Sequence, residues 1–147
     1  VRRALVLALA TTLALVGCGG EAKRLSREEY AQKADAICAE GNRKTEQLPS
    51  PGNLPELADV TNKTLDILDD ALNELRKLKP PKDEQKLVDQ WFAQFETLKD
   101  DLAEIRDKAR ANDLAGVQEV AERAQNHNAR ANELGTTLGM SVCNTTN

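Results

Sequence analysis

The sequence predicts an all-α protein: an up-down-up-down four-helix bundle in which one disulfide ties the C-terminal tail to helix one. Three observations carry this expectation. Aromatic residues make up only 3% of the 147 residues while charged residues make up 30%, so a core has to come from aliphatic side chains on helices rather than from aromatic and β-branched strands. Four segments repeat apolar residues at intervals of three and four, the helical period, and short connections between them make sequence neighbours antiparallel. Cys38 and Cys143 stand near the two ends of the helical region. The length fits one domain.

The first segment is of another kind. Arg2 and Arg3 form a short positive region, Ala4 to Val16 is apolar and uncharged, and Leu15-Val16-Gly17-Cys18 closes it with small residues before a cysteine. The run is too short to span a bilayer permanently and has the layout of a cleaved export signal. The tetrapeptide resembles the lipobox of bacterial lipoproteins. That resemblance implies removal of residues 1–17, acylation of Cys18 with a diacylglycerol and a mature chain that begins there; an ordinary export signal with an incidental cysteine is the alternative. Residues 18–25, with glycines and charges and no apolar period, then read as a lipidated tether, and 26–147 as the bundle domain. The expected location is extracytoplasmic, anchored to the bacterial cell membrane through Cys18.

Export constrains the cysteines and the partners. With Cys18 lipidated, Cys38 and Cys143 remain, and an even pair in an oxidising compartment reads as a disulfide; two buried free thiols are the alternative. Of 20 Lys and Arg, Arg2 and Arg3 leave with the leader, while all 24 Asp and Glu stay. An acidic domain without a basic stripe is a poor nucleic-acid binder, because neutralising phosphates needs clustered cations.

Helix one opens with a capping box, Ser26 and Glu29, and continues through Tyr30, Ala34, Ile37, Cys38, Gly41 and Leu48 until Pro49, Pro51 and Gly52 stop it. Helix two opens near Asn53 or Leu54 with Pro55 in its first turn. It carries Leu57, Thr61, Leu65, Leu68, Leu72 and Leu75 as a stripe and ends at Pro80 and Pro81. Helix three is expected to start with Asp83 and Glu84, acids suited to the positive end of a helix dipole. Leu87, Val88, Trp91, Phe92, Phe95, Leu98, Leu102, Ile105 and Ala109 share its apolar face. Asn112 and Asp113 supply a C-terminal stop and a new N-cap. Helix four shows Leu114, Val117, Val120, Ala121, Ala124, Ala131, Leu134 and Leu138 and terminates at Gly139. Cys38 lies about 18 Å along helix one, so the tail has to fold back along the bundle to reach it, with Gly135 and Gly139 as the residues that permit the reversal.

Taken with the lipobox, two further stretches are characteristic: Leu25 to Cys38 (Leu-Ser-Arg-Glu-Glu-Tyr-Ala-Gln-Lys-Ala-Asp-Ala-Ile-Cys) and the tail from Ala129 to Cys143. On these the chain resembles a group of small secreted lipoproteins of high-GC Gram-positive bacteria, mostly of unassigned function. The likeness runs end to end, and only the two cysteine-bearing motifs are specific. It implies a disulfide-linked helical lipoprotein and no activity.

No catalytic constellation is present. His127 is the only histidine, which excludes triads with a second imidazole and multi-histidine metal sites; its position at the edge of the helix-four stripe suits a partly buried structural imidazole. His127 with Met140 could supply axial haem ligands, but there is no C-x-x-C-H. No Glu-x-x-His, phosphate loop, nucleophile elbow or zinc spacing occurs. The carboxylates, Asp100 and Asp101 among them, read as solvated helix surface. Tyr30, Trp91, Phe92 and Phe95 fall in one half of the bundle, where they fill a core or, with His127, line an apolar ligand pocket. Asn128 points toward the stripe, where a buried hydrogen bond would set helix register.

If helix one leaves the membrane, helix two returns, and the turn bearing Arg76, Lys77, Lys79 and Lys82 faces the bilayer. The simpler reading of those cations is that they complement the negative end of helix two; attraction to anionic headgroups is the alternative. The sequence therefore describes a membrane-anchored helical lipoprotein without enzymatic activity or cofactor, a protein-interaction or envelope-accessory module. Its expected partners are the membrane, through the lipid, and another envelope protein. The alternative is a carrier of a small apolar ligand, a metal or haem in the bundle interior.

Overall fold

Four helices follow one another in the computed structural model, which describes residues 23–144: α1 (Arg27–Glu46), α2 (Leu54–Leu75), α3 (Gln85–Arg110) and α4 (Leu114–Thr137). Residues 1–17, expected to be an export leader, and Cys18 lie outside the described residues. α3 packs against α2 and α4, α2 also takes α1, and α1 and α4 make no extensive contact of their own. Among the described residues there is no strand, and no helix is long and apolar enough to cross a membrane.

Local chemistry sets the helix ends. Ser26 accepts from the Glu29 amide while the Glu29 carboxylate accepts from the Ser26 amide, closing the expected capping box. Asn53 caps α2 through the Glu56 amide with Pro55 in the first turn, and Asp113 caps α4 through the Gly116 amide. Asn112, at φ 57°, and Gly139, at φ 82°, terminate α3 and α4 in the left-handed region. In both, the amides of the left-handed residue and its successor turn back into the helix: Asn112 to Ala109 and Asp113 to Lys108, Gly139 to Thr136 and Met140 to Gly135. This is the Schellman arrangement, which satisfies carbonyls that the helix end leaves open.

Four expectations need correction. α3 begins at Gln85, not at Asp83: after Pro80 and Pro81 the chain first makes a turn, with the Glu84 amide donating to the Pro81 carbonyl, and the Glu84 carboxylate is engaged by Arg27 instead of capping the helix. α2 ends at Leu75, before the prolines: the Arg76 amide still reaches Leu72, but those of Lys77 and Leu78 reach only three residues back, to Glu74 and Leu75, and tighten the chain into a turn. Arg24 and Leu25 are not free tether. The Leu25 amide donates to the Lys79 carbonyl at 2.8 Å and the Arg24 guanidinium to the Pro80 carbonyl at 2.9 Å, so the fold starts two residues earlier. Leu114, placed on the buried stripe, is 56% exposed, since the first residue of α4 projects past the end of the bundle.

The core divides in two. One cluster joins Tyr30, Ala31 and Ala34 of α1 with Leu72, Leu75, Val88, Trp91, Leu134 and Leu138, closed by Met140 and Cys143 of the tail. The other consists of Ala58, Ile105, Ala109, Val117, Val120 and Ala124 and contains no α1 residue. Tyr30, Trp91, Leu72 and Leu138 are fully buried; burying side chains of this kind stabilises by about 1.5–3 kcal/mol each.

Candidate functional site

The tail is fastened to α1 twice. Cys38 and Cys143 form the disulfide, closing a separation of 105 residues. One turn earlier on the helix, the Asp35 carboxylate accepts from the Ser141, Val142 and Cys143 amides at 2.8 to 3.0 Å and from the Ser141 hydroxyl. Burial works against the charge on Asp35, but those four donors overcome it and hold its pKa below the ordinary aspartate value. The reversal that starts at Gly139 brings the tail across Gly135: a β-carbon there would sit 3.4 Å from Asn144 Cβ, 3.5 Å from Trp91 Nε1 and 3.6 Å from the Cys143 carbonyl. Both glycines serve the tail's return as expected, one by its backbone angle and one by its lack of a side chain.

Where the tail ends its run, an open groove of about 660 Å³ begins between α1 and α4. Its floor is apolar: Leu68, Leu72, Leu75, Phe95, Leu98, Leu102 and Ile105 from α2 and α3, with the disulfide at one end. Its rims are uncharged amides and hydroxyls, Asn42 and Thr45 on α1 and Gln125, Asn128 and Asn132 on α4, with Glu46 the one carboxylate. From Thr64 to Leu75 the floor follows α2 for three turns, roughly 16 Å. The groove exists because the second half of α1 has nothing large to put in it. After Cys38 the helix reads Ala-Glu-Gly-Asn-Arg-Lys-Thr-Glu, and no residue of that half is buried.

Of the residues singled out for a ligand, Phe95 lines the groove, while Tyr30 and Trp91 lie sealed in the adjoining core. Phe95 stacks edge-on against Trp91, with ring centroids 4.9 Å apart, so the groove floor rests on that core. The Tyr30 hydroxyl and Trp91 Nε1 have no hydrogen-bond partner among the described residues, and burial, reinforced by Asp89, raises the Tyr30 pKa to about 12. Asn128 borders the groove without a hydrogen bond to a described residue, rather than setting register in a buried one. The groove has neither histidine nor methionine in its lining; Met140 is buried in the tail-side core, so the pair considered for haem does not meet here.

His127 belongs elsewhere. Its Nδ1–H donates to Asp101 Oδ2 at 2.6 Å, and Arg123, one turn earlier on α4, donates to Asp101 Oδ1 at 2.8 Å. Asp101 is 3% exposed, which overturns its assignment to solvated surface. Burial alone would raise its pKa; the bonds from His127 and Arg123 reverse the sign and lower it. Arg123 also reaches Glu104, so two α3 carboxylates hold one face of α4. This Asp-His pair has the orienting half of a catalytic triad, but no hydroxyl or thiol among the described residues bonds to the imidazole. Among the described residues no group of three or more His, Cys, Asp or Glu could hold a metal ion.

Asp101 was expected on solvated surface, although its spacing, three residues after Leu98 and four before Ile105, puts it on the apolar face of α3; what it meets there, His127 and Arg123, only the packing of α4 supplies. Asp35, one turn before a half-cystine, had no comparable signal, because its partners are amides 106 to 108 residues away. Matched against protein families, curated proteins and solved structures, the chain finds no counterpart.

Proposed function

We propose that this chain is an extracytoplasmic lipoprotein, anchored through Cys18, that binds a small apolar ligand in the groove between α1 and α4. The observation that carries this is the groove itself: leucine-floored, amide-rimmed and open on one side of an otherwise packed bundle. Its volume falls in the range of small-molecule sites, which are mostly apolar with a few polar groups that orient the ligand. Leu68, Phe95, Leu98 and Leu102 of this floor are partly exposed, and covering them would remove apolar surface from water. A neutral rim suits a ligand with hydrocarbon and uncharged polar parts better than a strongly ionic one, since a charge desolvated there would find no counter-ion except beside Glu46. The disulfide supports residence in an oxidising compartment. Binding and presentation at the membrane surface, without chemistry, is the activity.

Native mass spectrometry of the protein purified from its own envelope tests this, together with uptake of a neutral naphthylamine probe. A bound mass or probe uptake that disappears in Leu98→Lys, with melting behaviour near wild type, is the expected result. No bound mass and no uptake by the wild-type protein would reject the groove as a ligand site and leave a protein-interaction role as the reading.

A further inference from the structure

We propose that the end of the bundle made by residues 23–27 and 76–86 is a docking face for the anionic phospholipid headgroups of the membrane that holds Cys18. The proposal rests on the anchoring at Cys18 and is independent of what the groove contains. These two segments carry eight cations, Lys23, Arg24, Arg27, Arg76, Lys77, Lys79, Lys82 and Lys86, against two carboxylates, Asp83 and Glu84, in a chain whose overall charge is −4. Hydrogen bonds from Arg24 and Leu25 to the 79–80 turn bring the two segments together at one end. The connections at the other end, residues 47–53 and 111–113, contain no cation, and the cations that flank them, Arg43, Lys44, Lys108 and Arg110, stand in the last turns of α1 and α3, where the helix dipole favours them.

Structure removes the competing account of these charges. Helix α2 ends at Leu75 with no basic residue in its last turn, so Lys79 and Lys82 lie beyond the reach of its dipole, which fades within a turn. Lys82 and Lys86 flank the start of α3, and Lys23 and Arg24 precede α1; a helix N-terminus is positive, so dipoles oppose cations at these places. Arg27, Arg76 and Lys77 are paired with Glu84, Glu96 and Glu74. Lys23, Arg24, Lys79, Lys82 and Lys86 form no ion pair with a described residue, and all five are exposed. Arg24 is held by the Pro80 carbonyl and Gln85, and Lys23 lies close enough to Glu29 to help lower its pKa; ion pairs and helix dipoles therefore leave Lys79, Lys82 and Lys86 unaccounted for at this end.

Where the chain enters the fold supplies the partner. The described fold begins at Lys23, five residues after Cys18, and five residues extend at most roughly 18 Å. A lipid on Cys18 keeps this end of the bundle, which includes the close of α4 at Thr137 and Gly139 beside Arg27, within a short reach of headgroups, where cations are attracted to an anionic surface. Docked this way, the bundle stands on its basic end. The groove then opens sideways: its floor begins at Leu75, next to the basic turn, and its disulfide end lies roughly 16 Å along α1 from Arg27.

Lysine footprinting decides the matter with native side chains as probes. The processed protein is reconstituted into nanodiscs of phosphatidylglycerol or of phosphatidylcholine, and acylation rates are read residue by residue by mass spectrometry. The expected result is several-fold slower modification of Lys23, Lys79, Lys82 and Lys86 on the anionic discs. Lys44 and Lys63 should be unchanged, and high salt should abolish the difference. In Lys79→Glu/Lys82→Glu the protection of Lys23 and Lys86 should fall away. Equal rates on the two lipids, or slowing at Lys44 and Lys63 as well, overturn the proposal. Intact mass of the same sample reports acylation of Cys18 separately, so loss of the anchor is distinguished from loss of the face.

Discussion

The two halves of the bundle use the same helices but are closed by different numbers of them. Between residues 25 and 38, α1 brings Tyr30, Ala31 and Ala34 into contact with the other three helices and the returning tail, and nothing large is left exposed. Beyond Cys38, α1 still runs beside α2 but carries glycine, asparagine and threonine toward the interior. The core there is held by α2, α3 and α4 alone. A helix does not close a bundle by being present. It closes one by carrying side chains long enough to reach across, and the switch at Cys38 turns a sealed core into a groove without changing the fold.

This contrast can be broken from its strongest point. Trp91→Ala, in the sealed half, should cost about 3–5 kcal/mol of unfolding free energy. Leu102→Ala, on the half-exposed groove floor, should cost less than half of that by the same denaturant titration. Comparable losses would mean that the two halves are equally packed. Reducing Cys38–Cys143 should cost about 2–4 kcal/mol by freeing the unfolded chain, lowering the melting temperature while circular dichroism below the transition keeps its helical signal. An unchanged melting temperature would argue against any contribution from the bridge.

Asp35→Asn should cost about 1–3 kcal/mol, since it weakens several hydrogen bonds to a charged acceptor, and proteolysis should reach the tail first. Folding lowers the Asp35 pKa, so its contribution is present above the ordinary aspartate value of 3.8 and is lost as the pH falls through the lower folded value. Asp101, also lowered, follows the same sign. The Asn variant should therefore show a shallower acid limb in a stability-against-pH profile than the wild type; parallel limbs would remove Asp35 from the account.

The smallest effect sharpens the comparison best. Asn42→Leu/Thr45→Leu extends the apolar face of α1 over the groove and should raise stability by up to about 1 kcal/mol while lowering uptake of the naphthylamine probe. A gain in uptake would show that the α1 rim does not limit access to the floor.

Much of the architecture was legible in single residues. The capping box at Ser26, the Asn53 and Asp113 caps, the left-handed stops at Asn112 and Gly139, and the pairing of Cys38 with Cys143 all depend on neighbours within a turn or on simple counting. Period alone placed Tyr30 and Trp91 in a core. The candidate site was legible only in part: Phe95 borders the groove, whereas His127 turns to Asp101, Asn128, expected to set register, stands on the rim instead, and Asp35 went unread. Their roles depend on what faces them from other helices.

Sequence by itself determined that there are four helices, where most of them start and stop, and that the tail must return to helix one. These follow from short-range forces: caps, proline and glycine geometry, and the 3.6-residue period. Tertiary structure alone decided which core is sealed and which lies open, that a carboxylate on α3 is buried, and that the basic turn stands beside the entry of the chain. Each of these depends on groups far apart in sequence meeting in space, and their energies exist only once the helices have packed.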